Sequence, residues 1–293
     1  MEHKAGFVNI IGNPNVGKST LMNTMLGEKL SIVTPKNQTT RHRIMGIAST
    51  PEYQIVFSDT PGILKPHYKL QESMMKTIGV ALTDADIILY ITDVVETWDK
   101  NNHTIERLKK SEVPVLVLLN KIDLSNQEKV TELISHWQEV LPTAEVYPIS
   151  ALLGANVELV RERILSLLPV HPPYFPPDEI TDRSERFFVS EIIREKIFFN
   201  YKEEIPYSTQ VEIESFIEEK DITRISAVIY VMRDSQKGIL IGKKGDQLKR
   251  TATAARKEME HFLGRKVFLE IFVKVNENWR DNPQSLQKFG YES

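Results

Sequence analysis

Residues 12–19, with the sequence GNPNVGKS, constrain the fold of this chain more than any other segment. They match the pattern G-x-x-x-x-G-K-[ST], and they lie between an apolar run, Phe7–Ile11, and a stretch with helical spacing, Lys18–Leu26. In such a loop, successive backbone N–H groups turn inward around phosphate oxygens, and the start of the following helix adds a partial positive charge. The sequence therefore predicts a phosphate-binding loop between a strand and a helix.

Short apolar runs alternate with helical patterns over residues 7–168, which predicts a mostly parallel sheet covered by helices on both faces. A further strand, Ile44–Ser49, is expected to be antiparallel because only a turn containing Pro51 separates it from the next run. Residues 1–170 are thus predicted to form an α/β domain with a six-stranded sheet. The apolar runs are Phe7–Ile11, Tyr53–Phe57, Ile87–Thr92, Val115–Leu119 and Val146–Ile149.

Five prolines within residues 169–177 interrupt this pattern, because proline fits neither a helix interior nor a central strand. Residues 171–182 are predicted to be a semi-rigid linker. Residues 183–293 then follow the order helix, strand, strand, helix pair, strand, with a weakly periodic tail from Asn276, and they predict an α+β domain. Its core is expected to contain Phe187, Phe188, Phe198, Phe199 and Trp279.

The composition excludes several classes of function. None of the 293 residues is cysteine, which excludes disulfides, Cys-ligated zinc, iron–sulfur clusters and a thiol nucleophile. The N-terminus lacks an apolar signal core, and the most apolar stretch, Ile87–Val95, is far shorter than the ~20 residues that span a bilayer. A cytoplasmic protein is therefore expected. Residues 233–266 carry ten Lys or Arg against four Asp or Glu, which makes a nucleic-acid-binding surface a candidate.

A second nucleotide motif, Asp59-Thr60-Pro61-Gly62, follows the strand that ends near Phe57. An aspartate at this point can hold Mg²⁺ through water, and the Gly62 N–H can bond the γ-phosphate. Loss of that phosphate would then release the loop that follows.

The segment Asn120-Lys121-Ile122-Asp123 indicates which nucleotide base the site binds. It follows the strand Val115–Leu119. A carboxylate accepts hydrogen bonds from guanine N1–H and its 2-amino group, whereas adenine would leave the carboxylate unpaired. Asn120 would fix the purine edge, and Lys121 would lie over the ring. The segment Ser150-Ala151-Leu152 would supply a backbone N–H to the guanine 6-oxygen.

The second domain contains a G-x-x-G segment between two helical stretches, within the basic window of residues 233–266. Two glycines let a loop approach a sugar–phosphate backbone closely, lysines neutralise phosphates, and a neighbouring apolar groove receives bases of a single strand. The sequence thus predicts RNA binding. The candidate RNA-binding residues are Ile239, Ile241, Gly242, Lys243, Lys244, Gly245, Lys249 and Arg250.

The four nucleotide motifs, spread over residues 12–152, resemble those of the translation-factor-related class of Ras-like P-loop GTPases. The phosphate-binding loop, the segment Asn37–Arg43 and the second domain resemble, more narrowly, the bacterial ribosome-assembly GTPases that carry a C-terminal KH domain. This resemblance covers nearly the whole chain. It implies a Ras-like GTPase domain followed by a type II KH domain, with GTP or GDP and Mg²⁺ as ligands.

The resemblance also implies roles for particular residues. The segment Asn37–Arg43 corresponds to the first switch, in which Thr40, or else Thr39, completes the coordination of Mg²⁺. Ile63 stands where a Ras-like enzyme has a water-orienting glutamine, so hydrolysis of GTP to GDP and phosphate is expected to be slow. Asn15 is hypothesised to help hold a stimulating K⁺ ion, the alternative being an asparagine that only shapes the loop.

These inferences define the predicted site. The residues expected to act in hydrolysis are Lys18, Thr40, Gly62 and Asn15, and those expected to bind Mg²⁺ are Ser19, Thr40 and Asp59. The nucleotide-binding residues are predicted to be Gly12, Asn13, Pro14, Asn15, Val16, Gly17, Lys18, Ser19, Thr20, Asp59, Thr60, Pro61, Gly62, Asn120, Lys121, Asp123, Ser150, Ala151 and Leu152.

The resemblance implies a GTP-dependent switch that binds the 3′ end of 16S ribosomal RNA and the small ribosomal subunit, and that acts in rRNA processing and 30S assembly. It also implies peripheral contact with the inner face of the cell membrane, and nothing in the sequence requires more than a monomer. Three alternatives stay open at this point. They are an ATP-using P-loop enzyme such as a small-molecule kinase, an RNA-binding scaffold whose nucleotide site is structural, and a tRNA-modifying GTPase, which the sequence supports least.

Overall fold

A computed structural model of the chain describes residues 2–96 and 102–291. The chain divides into two compact units, the first being Met1–Lys65 with Met74–Asp182 and the second Pro66–Ser73 with Arg183–Ser293. The segment predicted as a linker, residues 171–182, thus belongs to the first unit. The outermost ends of the two predicted domains, at Met1 and at residues 292–293, lie outside the described residues.

The first unit contains the predicted six-stranded sheet, which confirms the predicted fold class of this domain. Its strand order is β2-β3-β1-β4-β5-β6, and only β2 is antiparallel to its neighbour. Every residue of β4 and β5 is buried, as expected for strands covered by helices on both faces. The strands are β1 (Lys4–Gly12), β2 (Ile44–Ser49), β3 (Tyr53–Asp59), β4 (Ile87–Asp93), β5 (Val115–Asn120) and β6 (Glu145–Pro148).

The connections of this sheet bring the ends of the central strands to one edge. In the parallel registers Ile10 pairs with Asp59, Gly12 with Ile91, and Asp93 with Asn120. This edge is where a doubly wound sheet places its ligand. The helices of this part of the chain are α1 (Lys18–Leu26), α2 (Lys69–Ala81), α3 (Asn102–Lys109), α4 (Gln127–Val140) and α5 (Val157–Leu167), with a 3₁₀ turn at Ile122–Leu124.

The proline-rich segment is hydrogen-bonded along the first unit. The side chain of Gln54 accepts from the backbone N–H groups of Tyr174 and Phe175 and donates to the Phe175 carbonyl at 2.9 Å. Further on, the Ile180 carbonyl accepts from Ile47 N–H at 2.9 Å, and Thr181 bridges antiparallel to Gly46. The end of the segment therefore covers the outer edge of β2.

The second unit has the predicted α+β order, with a three-stranded sheet β7-β8-β9. Strands β7 and β8 are antiparallel, whereas β8 and β9 are parallel and are joined through two helices. Residues from the helices and the sheet share one hydrophobic core. The elements are α6 (Glu185–Asn200), α7 (Ile205–Ser208), β7 (Gln210–Glu218), β8 (Ile222–Val231), α8 (Asp234–Ile241), α9 (Asp246–Leu263), β9 (Lys266–Val275) and α10 (Pro283–Lys288), with 3₁₀ turns at Lys243–Gly245 and Trp279–Asp281.

One detail of the second domain differs from expectation. Phe188, Phe198 and Trp279 are buried as predicted, but Phe199 is 55% exposed because the last turn of α6 directs it away from the core. The weakly periodic tail is ordered, because Trp279 is buried and its indole N–H donates to the Ser208 carbonyl at 3.0 Å. None of the described helices combines the length and apolar character needed to cross a membrane.

Candidate functional site

The loop between β1 and α1 has the tight backbone that phosphate binding requires. Asn15 and Gly17 both adopt left-handed conformations, with φ of 65° and 104°. A Cβ atom on Gly12 would collide with the Ile91 carbonyl oxygen, and one on Gly17 would collide with the Asn120 side chain. Space therefore requires both glycines of the motif, and at Gly17 the left-handed backbone requires glycine as well.

The ammonium group of Lys18 lies inside this loop. Its Nζ atom donates to the carbonyls of Gly12 and Asn13, at 3.1 and 2.7 Å. Burial lowers the pKa of Lys18 to about 8, although the negative charges of Asp59 and Glu96 act in the opposite direction. A buried cation held by carbonyl dipoles is well placed to meet phosphate oxygens.

Ser19, Thr40 and Asp59 converge beside Lys18. The Ser19 hydroxyl donates to Asp59 Oδ2 at 2.7 Å and lies 3.1 Å from the Thr40 hydroxyl, which is itself 3.4 Å from Asp59 Oδ2. Burial raises the pKa of Asp59, while the hydrogen bond from Ser19 and the charge of Lys18 counteract it. Three convergent oxygen donors of this kind suit a hard divalent cation.

The Asp59 side chain also shows an unmet requirement. Its Oδ1 atom is buried and accepts no hydrogen bond from any residue that the structure describes. Such an oxygen needs a donor or a cation, so the residues present fit Mg²⁺ or water bound to it. Thr39 does not join this group, since its hydroxyl contacts Thr34 and the Lys36 carbonyl instead.

The Asp59–Gly62 loop packs directly on the phosphate-binding loop. A Cβ atom on Gly62 would lie 2.7 Å from the Pro14 nitrogen, and the Ile63 N–H donates to the Gly12 carbonyl at 3.1 Å. The Thr60 hydroxyl is tied to the Ile10 carbonyl at 2.7 Å. The Ile63 side chain packs against an apolar cluster and offers no polar atom to a water molecule.

The base-recognition segments are joined by one asparagine. The Asn120 side chain donates to the Val16 carbonyl at 2.7 Å and accepts from the Ala151 N–H at 2.9 Å. Lys121 donates to the Asn15 carbonyl at 2.6 Å. Asp123 is exposed, with its carboxylate free to meet a ligand. These contacts link the phosphate end and the base end of the site.

All four motifs line one cavity of about 550 Å³. This volume lies within the usual range of ligand pockets. The predicted residues that line it are Pro14, Asn15, Gly17, Lys18, Ser19, Thr20, Thr40, Gly62, Asn120, Lys121, Asp123, Ser150 and Leu152. The other predicted residues are buried and do not line this cavity: Gly12, Asn13, Val16, Asp59, Thr60, Pro61 and Ala151.

Two acidic residues of this site have no counterpart in the predicted set. Asp93, at the end of β4, forms an ion pair with Lys121 at 2.5 Å and accepts from the N–H groups of Val95 and Glu96. Glu96 accepts hydrogen bonds from the side chains of Asn13 and Thr92. Asp93 ends a buried strand beside the strand that ends at Asn120, and that position could have identified it.

The second unit contains the G-x-x-G loop, Gly242–Gly245, between α8 and α9. Gly242, Lys244 and Gly245 have φ values of 73°, 54° and 81°. A Cβ atom on Gly242 would lie 2.6 Å from Gln247 Cβ, whereas one on Gly245 would meet nothing within 4 Å. The loop is therefore sharply bent, and Gly242 is the glycine that its surroundings require.

The other candidate RNA-binding residues surround this loop. Lys243, Lys244, Lys249 and Arg250 are exposed. Ile239 is 53% exposed, whereas Ile241 packs partly against the core of the unit. The described surface thus combines cations with one accessible apolar side chain, as a single-strand-binding loop requires.

Comparisons with known proteins agree with this architecture. A family model described as "50S ribosome-binding GTPase" matches residues 7–121, and a KH domain model matches residues 204–280. The chain is 46% identical to GTPase Era of Thermoanaerobacter sp. (strain X514), covering 99% of this chain and 97% of that protein. It is also 46% identical to the chloroplastic GTPase ERA1 of Zea mays, covering 99% of this chain and 71% of that protein.

Solved structures are similar over the same length. Era in complex with MgGDPNP and nucleotides 1506–1542 of 16S ribosomal RNA matches with a TM-score of 0.95 and 42% identity, covering 99% of this chain and 100% of that one. A variant of Aquifex aeolicus Era bound to GDP and AlF4⁻ matches with a TM-score of 0.94 and 41% identity, with the same coverage.

The fold and the two sites define a P-loop GTPase domain joined to a KH domain. Full-length identity of 46% then specifies the family within this class. The chain belongs to the Era family of GTPases.

Proposed function

We propose that this protein is a GTP-hydrolysing switch that binds RNA. One observation carries the proposal: the side chain of Asn120 joins the phosphate-binding loop to the base-recognition segment through Val16 and Ala151. A site built in this way recognises both ends of a guanine nucleotide at once. The reaction is GTP plus water giving GDP and phosphate.

The residues of the cavity divide the work of hydrolysis. Lys18 neutralises charge on the β- and γ-phosphates, and the Gly62 N–H bonds the γ-phosphate in the GTP state. Ser19, Thr40 and Asp59 are the residues that would hold Mg²⁺, which neutralises phosphate charge when bound. The free Oδ1 atom of Asp59 supports this assignment.

Slow intrinsic hydrolysis is proposed because Ile63 cannot orient the attacking water. Stimulation by K⁺ through Asn15 remains a proposal as well. The Asn15 amide donates to the Pro35 carbonyl at 3.0 Å, so the loop asparagine already lies beside the first switch segment. Turnover of GTP should therefore be faster in KCl than in NaCl of equal concentration, and equal rates would contradict the role of K⁺.

The RNA-binding surface is assigned to the loop Gly242–Gly245 and the cations around it. The related Era structure with 16S ribosomal RNA nucleotides 1506–1542 supports the 3′ end of that RNA as the target. We therefore assign this chain a role in processing that RNA and in assembly of the small ribosomal subunit. A monomer in the cytoplasm, with peripheral contact to the membrane, completes the proposal.

The deciding experiment measures affinity for an RNA oligonucleotide that matches the 3′ end of 16S ribosomal RNA. Binding is compared without nucleotide, with GDP and with GDPNP, at two salt concentrations, because phosphate contacts make affinity salt-dependent. Tighter binding with GDPNP is the expected result. Tight binding that ignores the nucleotide would instead support a scaffold with a structural nucleotide site.

A pair of glycine variants tests the loop. Gly242→Asp adds a negative charge and a side chain where Gln247 leaves no space, whereas Gly238→Asp adds the same charge on α8 in an open position. Gly242→Asp should lose most RNA affinity and keep its GTPase activity, and Gly238→Asp should lose much less affinity. Equal loss of RNA binding and GTPase activity in Gly242→Asp would indicate misfolding or a wrong site.

A further inference from the structure

The C-terminal end of α6 contacts the helix that leads into the loop Gly242–Gly245. The buried hydroxyl of Tyr201 donates to the Leu240 carbonyl at 2.7 Å. Leu240 belongs to the last turn of α8, whose final carbonyls have no partner within their own helix. Tyr201 therefore supplies, from a different helix, the donor that the end of α8 needs.

The same hydroxyl contacts the helix that leaves the loop. Thr251, in the second turn of α9, has its hydroxyl 3.3 Å from the Tyr201 oxygen. Because the single Tyr201 proton is used by Leu240, Thr251 is the donor in this pair, and its one proton is shared between the Tyr201 oxygen and the Gln247 carbonyl, which lies 3.1 Å away in the same helix. The Thr251 oxygen in turn accepts from the Asn200 amide at 3.0 Å.

A third hydrogen bond joins the end of α6 to Gln247, which lies beside the loop. The Gln247 side chain donates to the Asn200 carbonyl at 3.1 Å, and its Cβ atom fills the space next to Gly242. Asn200 and Tyr201 thus contact both the helix before the loop and the helix after it. Burial raises the pKa of the Tyr201 phenol, so the phenol stays a donor at physiological pH.

We propose that Tyr201, acting with Thr251, is a positioning residue for RNA binding, because it holds the loop Gly242–Gly245 in the bent shape described above. Lys244 in this loop has a left-handed backbone with φ of 54°, and for a residue other than glycine such a conformation persists only where the surroundings fix it. A loop held in advance binds RNA more tightly, because less freedom is lost on binding. The inference rests on the assignment of this loop to RNA.

Two tyrosine variants of the full chain test the proposal. Tyr201→Phe removes only the hydroxyl group that donates to the last turn of α8. Tyr230→Phe is the matched control, because its hydroxyl donates to Glu212 at 2.9 Å on the sheet of the same unit. The probe is the RNA oligonucleotide that matches the 3′ end of 16S ribosomal RNA. Tyr201→Phe should weaken binding about 5- to 10-fold, the net effect of one hydrogen bond, and Tyr230→Phe less than about twofold.

Amide hydrogen exchange separates positioning from general destabilisation. In Tyr201→Phe, exchange should accelerate at residues 242–245 while strands β7 to β9 keep their protection. Thr251→Val should weaken RNA binding similarly, Thr251→Ser should restore it, and GTP hydrolysis without RNA should be unchanged throughout. Wild-type RNA affinity with unchanged loop exchange in Tyr201→Phe would overturn the proposal, as would equal losses in both tyrosine variants.

The variant Gly242→Asp separates the assignment of the loop to RNA from the positioning role of Tyr201. If Gly242→Asp loses RNA binding and Tyr201→Phe does not, the loop binds RNA but Tyr201 does not position it. If Gly242→Asp folds normally and binds RNA as the wild type does, the assignment of the loop fails, and the role of Tyr201 fails with it.

Discussion

The side-chain amide of Asn120 occupies the space that a Cβ atom on Gly17 would need. The same side chain bonds Val16 on one side and Ala151 on the other. Three segments that lie far apart in the sequence therefore share one packing contact. The segments proposed to bind phosphate and base are for this reason held together by one side chain.

Gly17→Ala should abolish tight binding of both GTP and GDP. The added methyl group would displace Asn120, and the left-handed backbone at Gly17 would be strained as well. A fall in affinity of about 100-fold or more is expected in a nucleotide titration. Gly27→Ala is the control, since Gly27 is also left-handed but has nothing within 4 Å of the added carbon. Comparable loss in both variants would mean that strain alone is responsible.

GTP affinity should fall as pH rises through about 8, which is the pKa that burial gives Lys18. Phosphates bind the protonated amine, so the fraction able to bind decreases above that pH. Between pH 7 and 8.5 the affinity should drop about fourfold. Lys18→Arg stays charged over this range and should bind more weakly, but with no such slope. A slope of the same size in Lys18→Arg would exclude Lys18 as its source.

Thr40→Ala should impair the GTP state far more than Thr39→Ala. Only Thr40 has its hydroxyl beside Ser19 and Asp59, whereas the Thr39 hydroxyl binds within its own loop. Hydrolysis is expected to slow about 100-fold in Thr40→Ala, as for loss of one transition-state contact, with GDP affinity nearly unchanged. Single-turnover rates at varied Mg²⁺ concentration provide the measurement. The reverse order of effects would move the role to Thr39.

Asp123→Asn should exchange guanine for xanthine specificity. The amide would present a donor to the guanine 2-amino group, which is itself a donor, but it would pair with the oxygen that xanthine has there. A loss of GTP affinity of about 100-fold or more and a gain for XTP are expected in competition experiments. Asp178→Asn, an exposed aspartate of the proline-rich segment, should change neither. Unchanged preference for GTP in Asp123→Asn would refute the assignment of Asp123.

The fold was largely accessible from the sequence, because strong local patterns coincide with tertiary structure. Residues 12–19 require a strand before them and a helix after them, and the mainly apolar runs of β4 and β5 leave little choice but a covered parallel sheet. The order of elements in the second domain follows from alternation in β7 and β9 and from helical spacing in α9.

The contacts that depend on distant partners were not accessible. The sequence shows Asp93 at the end of a buried strand, but it does not show the ion pair with Lys121 at 2.5 Å, because only the fold brings the two side chains together. The residues next to Tyr201 in the sequence are polar and indicate no particular partner. The residue that its hydroxyl contacts, Leu240, comes 39 positions later. Phe199 resembles its neighbour Phe198 in type, and only the direction of the last helical turn separates the exposed ring from the buried one.

Residues 180–182 cover the outer edge of β2, and they therefore determine where the chain can be truncated to give a separate GTPase domain. A chain that stops at residue 170 would expose the N–H groups of Met45 and Ile47, which now bond Asp182 and Ile180. An uncovered strand edge of this kind pairs readily with another copy of itself. A fragment that ends at residue 182 keeps the segment that covers this edge, and it is the fragment that should stay monodisperse on purification.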